Sequence, residues 1–468
     1  MLKPISILRG AAMALCVAMP AWADDMALCL DKQVEACTRM IDSGKYDQID
    51  RGFLFYDRGN AHQGRGEQGQ AIDDYSEAIR LNPRNALAFG GRAAAHHANG
   101  ELGQAIADYS ESIRLDPAGA LAFYNRGHVH EDKGERDLAI ADYSEAIRLN
   151  PQYAEAFTSR GSALGNKGES IEAIKDFTEA LRINPRDAVA FYDRGLEYEL
   201  KGQYGPAIAD FTDAIGLDPS LEQAFNNRGV AYENEGEHDK AINDYTDAIR
   251  LNPRFAEAFN NRGNSHDSKR ERDEAIRDFT EAIRINPRNA SAYKGRGVAR
   301  LFIGDFAGTI VDETQVIEIR KDDISARYYR GLAQFAVFAF RNADIDFGAA
   351  IDLNQSNPDL HAVLLRYIAE ERSGTNAMAE LLFRQASIEK KWPAAIVDFY
   401  VGEMSAEDVM KGAVNTKMMC EAAFYIGEKE LLGRHVVEAA AKLREAASDK
   451  CVDVTEHQLA HVELERLR

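Results

Sequence analysis

The chain has 468 residues, with 56 Lys and Arg against 76 Asp and Glu, which gives a formal net charge of −20. Hydrophobic residues make up 45% of the sequence, enough for a buried core and too many for global disorder. The acidic balance argues against binding nucleic acid through its phosphates and against electrostatic docking on anionic lipid, because both need clustered Lys and Arg.

Residues 1–23 predict a cleavable export signal. Lys3 and Arg9 precede an apolar run over 10–19 that is too short to span a bilayer, and small residues at 21 and 23 form a cleavage site. We expect cleavage after Ala23 and a periplasmic protein, with secretion as the alternative. A lipid anchor is disfavoured, because a bulky residue precedes Cys16 and the apolar run is only half complete there.

Four cysteines remain after this cleavage: Cys29, Cys37, Cys420 and Cys451. An even number in an oxidising compartment favours disulfides, and three pairings are possible. We favour the local pairings, Cys29 with Cys37 in an N-terminal helical cap over 24–51, and Cys420 with Cys451. Four free buried thiols are the alternative. No Cys-x-x-Cys occurs, so neither a thioredoxin-like site nor a zinc ribbon is supported.

A period of 34 residues runs through 52–357 and gives nine copies, the last two degenerate. Prolines mark the ends of seven copies, each in a Leu/Ile-Asn/Asp-Pro step that ends a helix. They are Pro83, Pro117, Pro151, Pro185, Pro219, Pro253 and Pro287. Such a period indicates one supersecondary unit repeated in an array.

Each copy predicts two helices, as in the copy with helical patterns over 256–269 and 274–285. Gly263, Ala275 and Ala282 are expected where two backbones approach closely, and Phe259 and Phe279 fill the spaces between helices. One hairpin buries too little surface by itself, so we expect stacked neighbours to supply the rest.

The period, the glycine, the paired alanines, the aromatics and the final proline resemble the tetratricopeptide repeat (TPR) family. The resemblance implies an all-α fold, a superhelical solenoid of stacked antiparallel hairpins followed by a divergent helical region over 358–468. It weakens from 290 to 357, where Lys321 and Gln355 replace proline and Thr309 replaces alanine.

Arg recurs in the first helix of every copy, at a position that is apolar in this family, and Asp recurs with the same period. A buried guanidinium must find an acceptor, so we predict a structural Arg–Asp ladder between packed helices. Whether each Arg uses the Asp of its own copy or of the copy before stays open. An anion-binding Arg stripe is the alternative. The ladder positions are Arg58, Arg92, Arg126, Arg160, Arg194, Arg228, Arg262, Arg296 and Arg330 with Asp74, Asp108, Asp142, Asp176, Asp210, Asp244, Asp278, Asp312 and Asp346.

The C-terminal region predicts one further hairpin between Cys420 and Cys451, with Gly427, Ala439 and Ala446 spaced as in the earlier copies. An antiparallel hairpin brings its two ends together, within reach of a disulfide. The stretch from Trp392 to Glu463 is similar to the C-terminal region of the new lipoprotein I family, whose members are periplasmic TPR adaptors. That resemblance implies an adaptor for cell-envelope enzymes.

The TPR resemblance also implies a concave surface lined by first helices, where a partner segment binds. Asn side chains both donate and accept, so spaced asparagines suit an extended peptide, and Tyr adds contact area with a polar tip. The charges in this set are nearly all acidic, which favours a neutral or basic segment. Solvated helix positions without a binding role are the alternative. The set is Tyr56, Asp57, Asn60, Tyr124, Asn125, His128, Tyr192, Asp193, Asn226, Asn227, Glu233, Asn260, Asn261, Asn264 and Asp267.

Other motifs predict no chemistry. His62, His96, His130 and His266 share one repeat position with tyrosines, which indicates packing, and His128 diverges from His130 on a helix, which argues against a metal site. The Gly-rich stretch 64–69 follows a helix rather than a strand, so it is not a dinucleotide site, and 387–390 lacks the companion motifs of penicillin-binding enzymes. We expect no cofactor, no metal and no enzymatic activity.

The sequence thus predicts an exported, non-enzymatic scaffold or adaptor that binds a protein partner. One alternative is a structural component of an envelope export or assembly machine. Another is a carbohydrate- or cell-wall-binding protein, although sugar sites would want aromatics and acids clustered on one surface rather than following a repeat.

Overall fold

The computed structural model describes residues 28–29, 33–354, 359–378, 381–382, 392–452 and 454–468. The export signal predicted over 1–23 lies outside these residues. In the part of the chain so described, the regular structure is helical throughout, without a strand. The chain forms two compact units, one through Pro219 and the other from Ser220.

The first unit is a short helix followed by five helical hairpins. Helix α1 spans Val34–Asp42. The hairpins are α2 and α3 (Gln48–Gly64, Gln68–Leu81), α4 and α5 (Ala86–Ala98, Leu102–Leu115), α6 and α7 (Ala120–Asp132, Arg136–Leu149), α8 and α9 (Ala154–Gly165, Ser170–Ile183), and α10 and α11 (Ala188–Leu200, Tyr204–Leu217).

The second unit contains four more hairpins and the C-terminal region. The hairpins are α12 and α13 (Glu222–Asn234, His238–Leu251), α14 and α15 (Ala256–Ser268, Arg272–Ile285), α16 and α17 (Ala290–Phe302, Phe306–Ile319), and α18 and α19 (Ile324–Ala336, Phe340–Leu353). The C-terminal helices are α20 (Leu360–Ser373), α21 (Ala394–Val401), α22 (Ala406–Gly412), α23 (Thr416–Leu432), α24 (Val436–Ala446) and α25 (Thr455–Arg466), with a 3₁₀ turn over Asp449–Cys451.

The Asn-Pro steps and turn glycines that recur in the sequence set the helix ends. Asn82 caps α3 with φ −134° and ψ 88°, outside the helical region, and Pro83 cannot continue the helix. The turn inside a hairpin needs a left-handed residue, which is Gly134 between α6 and α7, with φ 79°. The chain therefore reverses twice in every period.

A glycine on the first helix makes room for an aromatic ring on the second. A Cβ at Gly59 would lie 2.8 Å from the ring of Tyr75, and one at Gly263 would lie 2.8 Å from the ring of Phe279. Both rings are fully buried. What excludes a larger residue at Gly263 is thus a ring, and not the close backbone approach expected from the sequence.

First helices lie closer to one another than second helices do. In the first unit α2 contacts α4, α4 contacts α6, and α8 contacts α10, and in the second unit α12, α14, α16 and α18 contact one another in turn. Among the described residues, consecutive second helices make no comparable contact. Within each unit the row of hairpins is therefore bent, with the first helices on the inner side.

The C-terminal region packs back onto the last repeats of the second unit. Helix α25 contacts α16 and α18, and Gln458 Nε2 donates a hydrogen bond of 2.9 Å to the carbonyl oxygen of Phe302. Buried apolar residues from Leu301 to Ala460 form one cluster. The C-terminal helices thus extend the core of the repeats and do not form a core of their own.

Both predicted cysteine pairs lie at disulfide distance. The Cα atoms of Cys29 and Cys37 are 4.7 Å apart, and those of Cys420 and Cys451 are 5.6 Å apart. Cys420 lies in the first turns of α23, and Cys451 lies just beyond α24. None of the helices in the described ranges is long and apolar enough to cross a membrane.

Candidate functional site

The predicted partner-binding residues lie on the first helices, on the inner side of each unit. Most of them are half-buried, Asn264 is exposed, and Asn226 is only 1% exposed. Asn226 accepts a hydrogen bond of 3.2 Å from Asn261 and donates one of 3.1 Å to Asn227. We therefore correct the prediction for Asn226: its amide serves its neighbours and has no surface to offer a partner.

Tyr124 and His128 form an aromatic cluster on the inner side of α6. Their ring centroids are 4.6 Å apart, and the ring centroid of Tyr153 lies 4.8 Å from that of Tyr124. Burial lowers the pKa of His128, so the neutral imidazole is favoured near neutral pH. The cluster can offer an aromatic contact surface with polar edges.

Asp57 is the least satisfied acid of the set. It lies half-buried on α2, and none of the described residues donates a hydrogen bond to its carboxylate. Burial raises its pKa to about 6. A carboxylate with open acceptor sites on an inner helix face can accept hydrogen bonds from an amide or a cation of a partner.

The other acids of the set already have partners within their own unit. Asp193 accepts a hydrogen bond of 2.7 Å from Ser162, Glu233 accepts one of 2.5 Å from Ser265, and Asp267 pairs with Arg272. Burial is the main cause of a raised pKa at Asp193. The contacts of Asp193 and Glu233 connect consecutive first helices, and that of Asp267 joins the two helices of its own hairpin. The three carboxylates therefore have a structural role as well as an inner position.

Open hydrogen-bonding capacity in the second unit lies on α14. The buried Oδ1 of Asn260 has no hydrogen-bond partner among the described residues. Asn264, four residues further along the helix, is exposed. The two amides are on one helix face, but the Oδ1 of Asn260 is closed to a partner, so Asn264 is the one of the two that can contact an extended segment.

Each ladder Arg is held by the Asp of its own hairpin. Arg262 donates from Nε and Nη2 to the two carboxylate oxygens of Asp278, at 2.8 and 2.7 Å, and its exposed side-chain fraction is 19%. The same bidentate geometry recurs at all nine Arg positions, always with the Asp sixteen residues further on. The choice left open by the sequence is thus made by local geometry.

A third contact of the guanidinium, missed in the sequence, connects neighbouring hairpins. Nη1 of Arg262 donates a hydrogen bond of 2.9 Å to the hydroxyl of Thr246 on the preceding second helix. The same contact joins Arg92 to Ser76 and Arg296 to Thr280, at 3.0 Å each. The signal was present as a Ser or Thr two residues after the ladder Asp in the first eight of the nine copies; the ninth has Gly348 there.

Aromatic rings three residues before the ladder Arg complete its surroundings. The guanidinium carbon of Arg262 lies 5.6 Å from the ring centroid of Phe259, and that of Arg126 lies 5.7 Å from that of Phe123. Carboxylate, hydroxyl and ring together occupy the guanidinium on several sides. This geometry supports the structural role of the ladder over the alternative of an anion-binding stripe.

The repeated histidines join the two helices of a hairpin by hydrogen bonds. His130 Nδ1 lies 2.7 Å from the carboxylate of Glu135 at the start of the next helix, and its Nε2 lies 3.8 Å from Asp142. His266 has the same arrangement with Glu271 and Asp278, at 2.6 and 3.8 Å. The packing role predicted for these residues therefore includes a polar contact with the turn.

Glu313 occupies the position where the other second helices carry an aromatic residue. It is fully buried, and neither of its carboxylate oxygens has a hydrogen-bond partner within the described ranges. Burial raises its pKa to about 9. The following first helix carries Tyr329 where the other copies have Gly, Ser, Asn or Asp.

Family models for a tetratricopeptide repeat match the central part of the chain. One described as tetratricopeptide repeat matches residues 120–153, 222–255 and 256–289, and a second with this description matches 154–187 and 188–221. One described as TPR repeat matches 59–100 and 94–134. The matched stretches together run without a gap from 59 to 289.

Several solved structures are similar to parts of the chain. The crystal structure of YrrB, titled a TPR protein with an unusual peptide-binding site, has 25% identity and a TM-score of 0.37 over 40% of this chain and 96% of that one. A MamA structure has 26% identity and a TM-score of 0.34, over 36% and 91% of the two chains. A tetratricopeptide repeat protein from Parabacteroides merdae has 19% identity and a TM-score of 0.40, over 53% and 98%.

The comparison with curated proteins gives no match. The similarity of the C-terminal region to new lipoprotein I is not shown by these comparisons and stays a prediction.

Proposed function

Since this chain is a tetratricopeptide repeat protein, we propose that it is an exported, non-enzymatic scaffold that holds an extended segment of a protein partner against its first helices. The presence of these repeats favours a role as a protein-interaction scaffold, and proteins of this family are generally not catalytic. The observation that carries the proposal is the open hydrogen-bonding capacity of Asp57 in the first unit and of the exposed Asn264 in the second.

The chemistry of these residues favours a neutral or basic segment. Amide groups match the alternating donors and acceptors of a peptide backbone with little sequence preference. A carboxylate without a partner gains most from a cation or an N–H donor. The net charge of −20 adds a long-range attraction for a basic segment.

Binding of labelled peptides tests the proposal. We choose three extended twelve-residue peptides in which alanine alternates with lysine, glutamine or glutamate, and measure fluorescence anisotropy against wild type, Asp57→Asn and Asn264→Ala. The control is Gln70→Ala, an exposed polar residue on a second helix. We expect the lysine peptide to bind tightest, both inner-face variants to lose at least threefold in affinity, and the control to match wild type.

Two results would contradict the proposal. One is equal binding by the inner-face variants and the control, which would place the binding surface elsewhere. The other is that the glutamate peptide binds tightest, or that none of the three peptides binds. Either outcome removes the case for a segment held through its backbone on an acidic surface.

The export signal and the C-terminal resemblance extend the proposal to the periplasm, where the chain would act as an adaptor for cell-envelope enzymes. An alkaline phosphatase reporter, active only outside the cytoplasm, tests the first part: residues 1–23 fused to it should give activity in cells, and a fusion that begins at residue 24 should not. Equal activity of the two fusions would remove the periplasmic assignment. Cross-linking in envelope extracts, with Asp57→Asn as the comparison, identifies the partners.

A further inference from the structure

The turn between α18 and α19 differs from every other hairpin turn of the repeats. Its residues run Val337-Phe338-Ala339-Phe340, where most other copies carry a polar residue, Gly and Glu, as at 133–135. Val337 is 45% exposed and Phe338 is 40% exposed. Four successive apolar residues at an exposed turn are unusual, because a solvated turn gains nothing from them.

Phe338 holds the left-handed backbone position that glycine takes elsewhere. Its φ is 59°, whereas seven of the eight other repeat turns place a glycine there and one places Arg270. The glycines are Gly66, Gly100, Gly134, Gly168, Gly202, Gly236 and Gly304. A bulky residue in this conformation is strained, and such strain persists where the side chain is needed.

Phe338, the residue with the strained backbone, borders a cleft. The cleft has a volume of about 320 Å³ and is lined by Phe338, Ala339, Phe340, Arg341, Asn342 and Ser373. This is the size of a site for one or two side chains or a small ring system. The rings and the stem of Arg341 provide apolar contact, and the guanidinium provides one charge.

Arg341 is the cation of this surface that remains available. Arg466 stacks on Phe338 at 5.5 Å and pairs with Glu463 at 2.7 Å, and Arg372 pairs with Glu428 at 2.7 Å. Arg341 is exposed, and no described acid pairs with it. The cleft thus combines fixed aromatic walls with one open positive charge, on a chain whose overall charge is −20.

We propose that this surface, formed by residues 337–342 with Ser373, is a second protein-docking site, which binds a partner segment that presents an apolar side chain next to a carboxylate. Charge complementarity to Arg341 selects the acidic group, and Phe338 with Phe340 selects the apolar one. The inner helix faces favour neutral or basic segments, so the two surfaces on one chain suit two different partners.

Two dyes that differ in one charge test the chemistry. Anilinonaphthalene sulfonate carries an apolar ring system and an anionic group, and N-phenylnaphthylamine is the same ring system without the anion. We expect Phe338→Gly to weaken the affinity for both dyes at least fivefold and Arg341→Gln to weaken only that for the sulfonate, about threefold. Phe338→Gly restores the residue that the other turns carry, so loss of fold is not expected. Arg270→Gly, the same change at the equivalent position of another turn, should alter neither affinity.

Selection of random twelve-residue peptides from a displayed library, on wild type and on Phe338→Gly, tests the occupant. We expect wild type alone to enrich peptides with an acid beside an aromatic or aliphatic residue. Unchanged dye binding in Phe338→Gly, or the same enriched peptides on both proteins, overturns the site. Two further results would overturn the assignment to a partner protein. If wild type sediments with phosphatidylcholine–phosphatidylglycerol vesicles and Phe338→Gly does not, the site binds a membrane. If wild type self-associates in analytical ultracentrifugation and Phe338→Gly does not, the site binds a second copy of the chain.

Discussion

At the residue scale, a single guanidinium per repeat connects three helices. Arg262 donates hydrogen bonds to Asp278 in its own hairpin and to Thr246 in the preceding one, and it stacks on Phe259 of its own helix. An apolar residue at this position would pack but would not fix the distance between hairpins. The polar ladder therefore sets the spacing of the stack as well as satisfying a half-buried charge.

Loss of one ladder Arg should destabilise the stack. We expect Arg262→Ala to lower the free energy of unfolding by roughly 3 kcal/mol, because Asp278 is left buried without its cation. Urea unfolding followed by circular dichroism measures the change. Arg277→Ala is the matched control: its pair with Glu274 is exposed, so its loss should cost less than about 0.5 kcal/mol. Equal losses for the two variants would argue against the ladder as a stabilising element.

The buried carboxyl of Glu313 should make stability depend on pH. Its pKa is about 9 in the folded chain and near 4.5 in the unfolded chain, so above pH 4.5 the unfolded state releases a proton that the folded state keeps. The contribution of Glu313 to stability is therefore most favourable below pH 4.5 and falls as pH rises toward 9.

Glu313→Gln removes this ionisation, and we expect it to raise the free energy of unfolding by about 3 kcal/mol at pH 7, with little change at pH 4. Urea titrations at the two pH values measure the difference. The exposed Glu318→Gln on the same helix should show no such pH dependence. A neutral result for Glu313→Gln at both pH values would mean that the carboxyl ionises in the folded state.

At the element scale, the hairpins share one arrangement of two helices but differ in the residues that hold the helices together. The repeats place a glycine against an aromatic ring, as Gly127 does against Tyr143, whereas the last hairpin, α23 with α24, places Gly427 against Leu443. The same hairpin also carries a cysteine near each of its ends, Cys420 and Cys451. The C-terminal hairpin thus has an aliphatic side chain in place of the ring and a predicted covalent connection between its two ends.

The cysteine pair of the last hairpin should contribute more stability than the N-terminal pair. The separations are 31 and 8 residues, and closing the longer loop restricts the unfolded chain more. We expect Cys420→Ser with Cys451→Ser to cost about 4 kcal/mol and Cys29→Ser with Cys37→Ser about 2.5 kcal/mol in oxidised protein. Urea unfolding with and without dithiothreitol measures both. Equal stability of the oxidised and reduced wild type would show that the pairs do not form.

At the scale of the whole molecule, the charge is the property most open to a solution test. A net charge of −20 accelerates the encounter with a basic segment, and salt screens that attraction. We expect the association rate of the alternating alanine–lysine peptide to fall roughly tenfold between 20 and 300 mM salt, and that of the glutamine peptide to stay nearly constant. Stopped-flow fluorescence measures both rates. A salt-independent rate for the lysine peptide would remove electrostatic steering from the proposal.

The pH dependence of peptide binding follows from Asp57. Its pKa is raised to about 6, so the carboxylate is ionised above that value and neutral below it. Affinity for the lysine peptide should therefore fall as pH is lowered from 7.5 to 5.5, and Asp57→Asn should flatten this profile. Isothermal titration at the two pH values compares wild type with the variant. The same profile in both proteins would assign the pH dependence to another group.

The sequence by itself determined the repeat, the helical hairpins and the presence of an Arg–Asp ladder, because these depend on spacing along the chain, whereas the structure decided that each Arg pairs with the Asp of its own hairpin. Sixteen residues separate each Arg from its Asp, a distance within one hairpin, and the period of 34 repeats the choice nine times. The family resemblance rested on the same local pattern, and the family models match it from 59 to 289.

Only the tertiary structure decided which side chains remain available. Asn226 and Asn227 look alike in the sequence, yet Asn226 is buried and accepts from Asn261 in the next repeat. The packing of α25 on α16 and α18, and the cleft beside Phe338, depend on contacts between segments far apart in the chain. Such contacts follow no period, since each is made once, and a pattern in one dimension can indicate only what recurs along it.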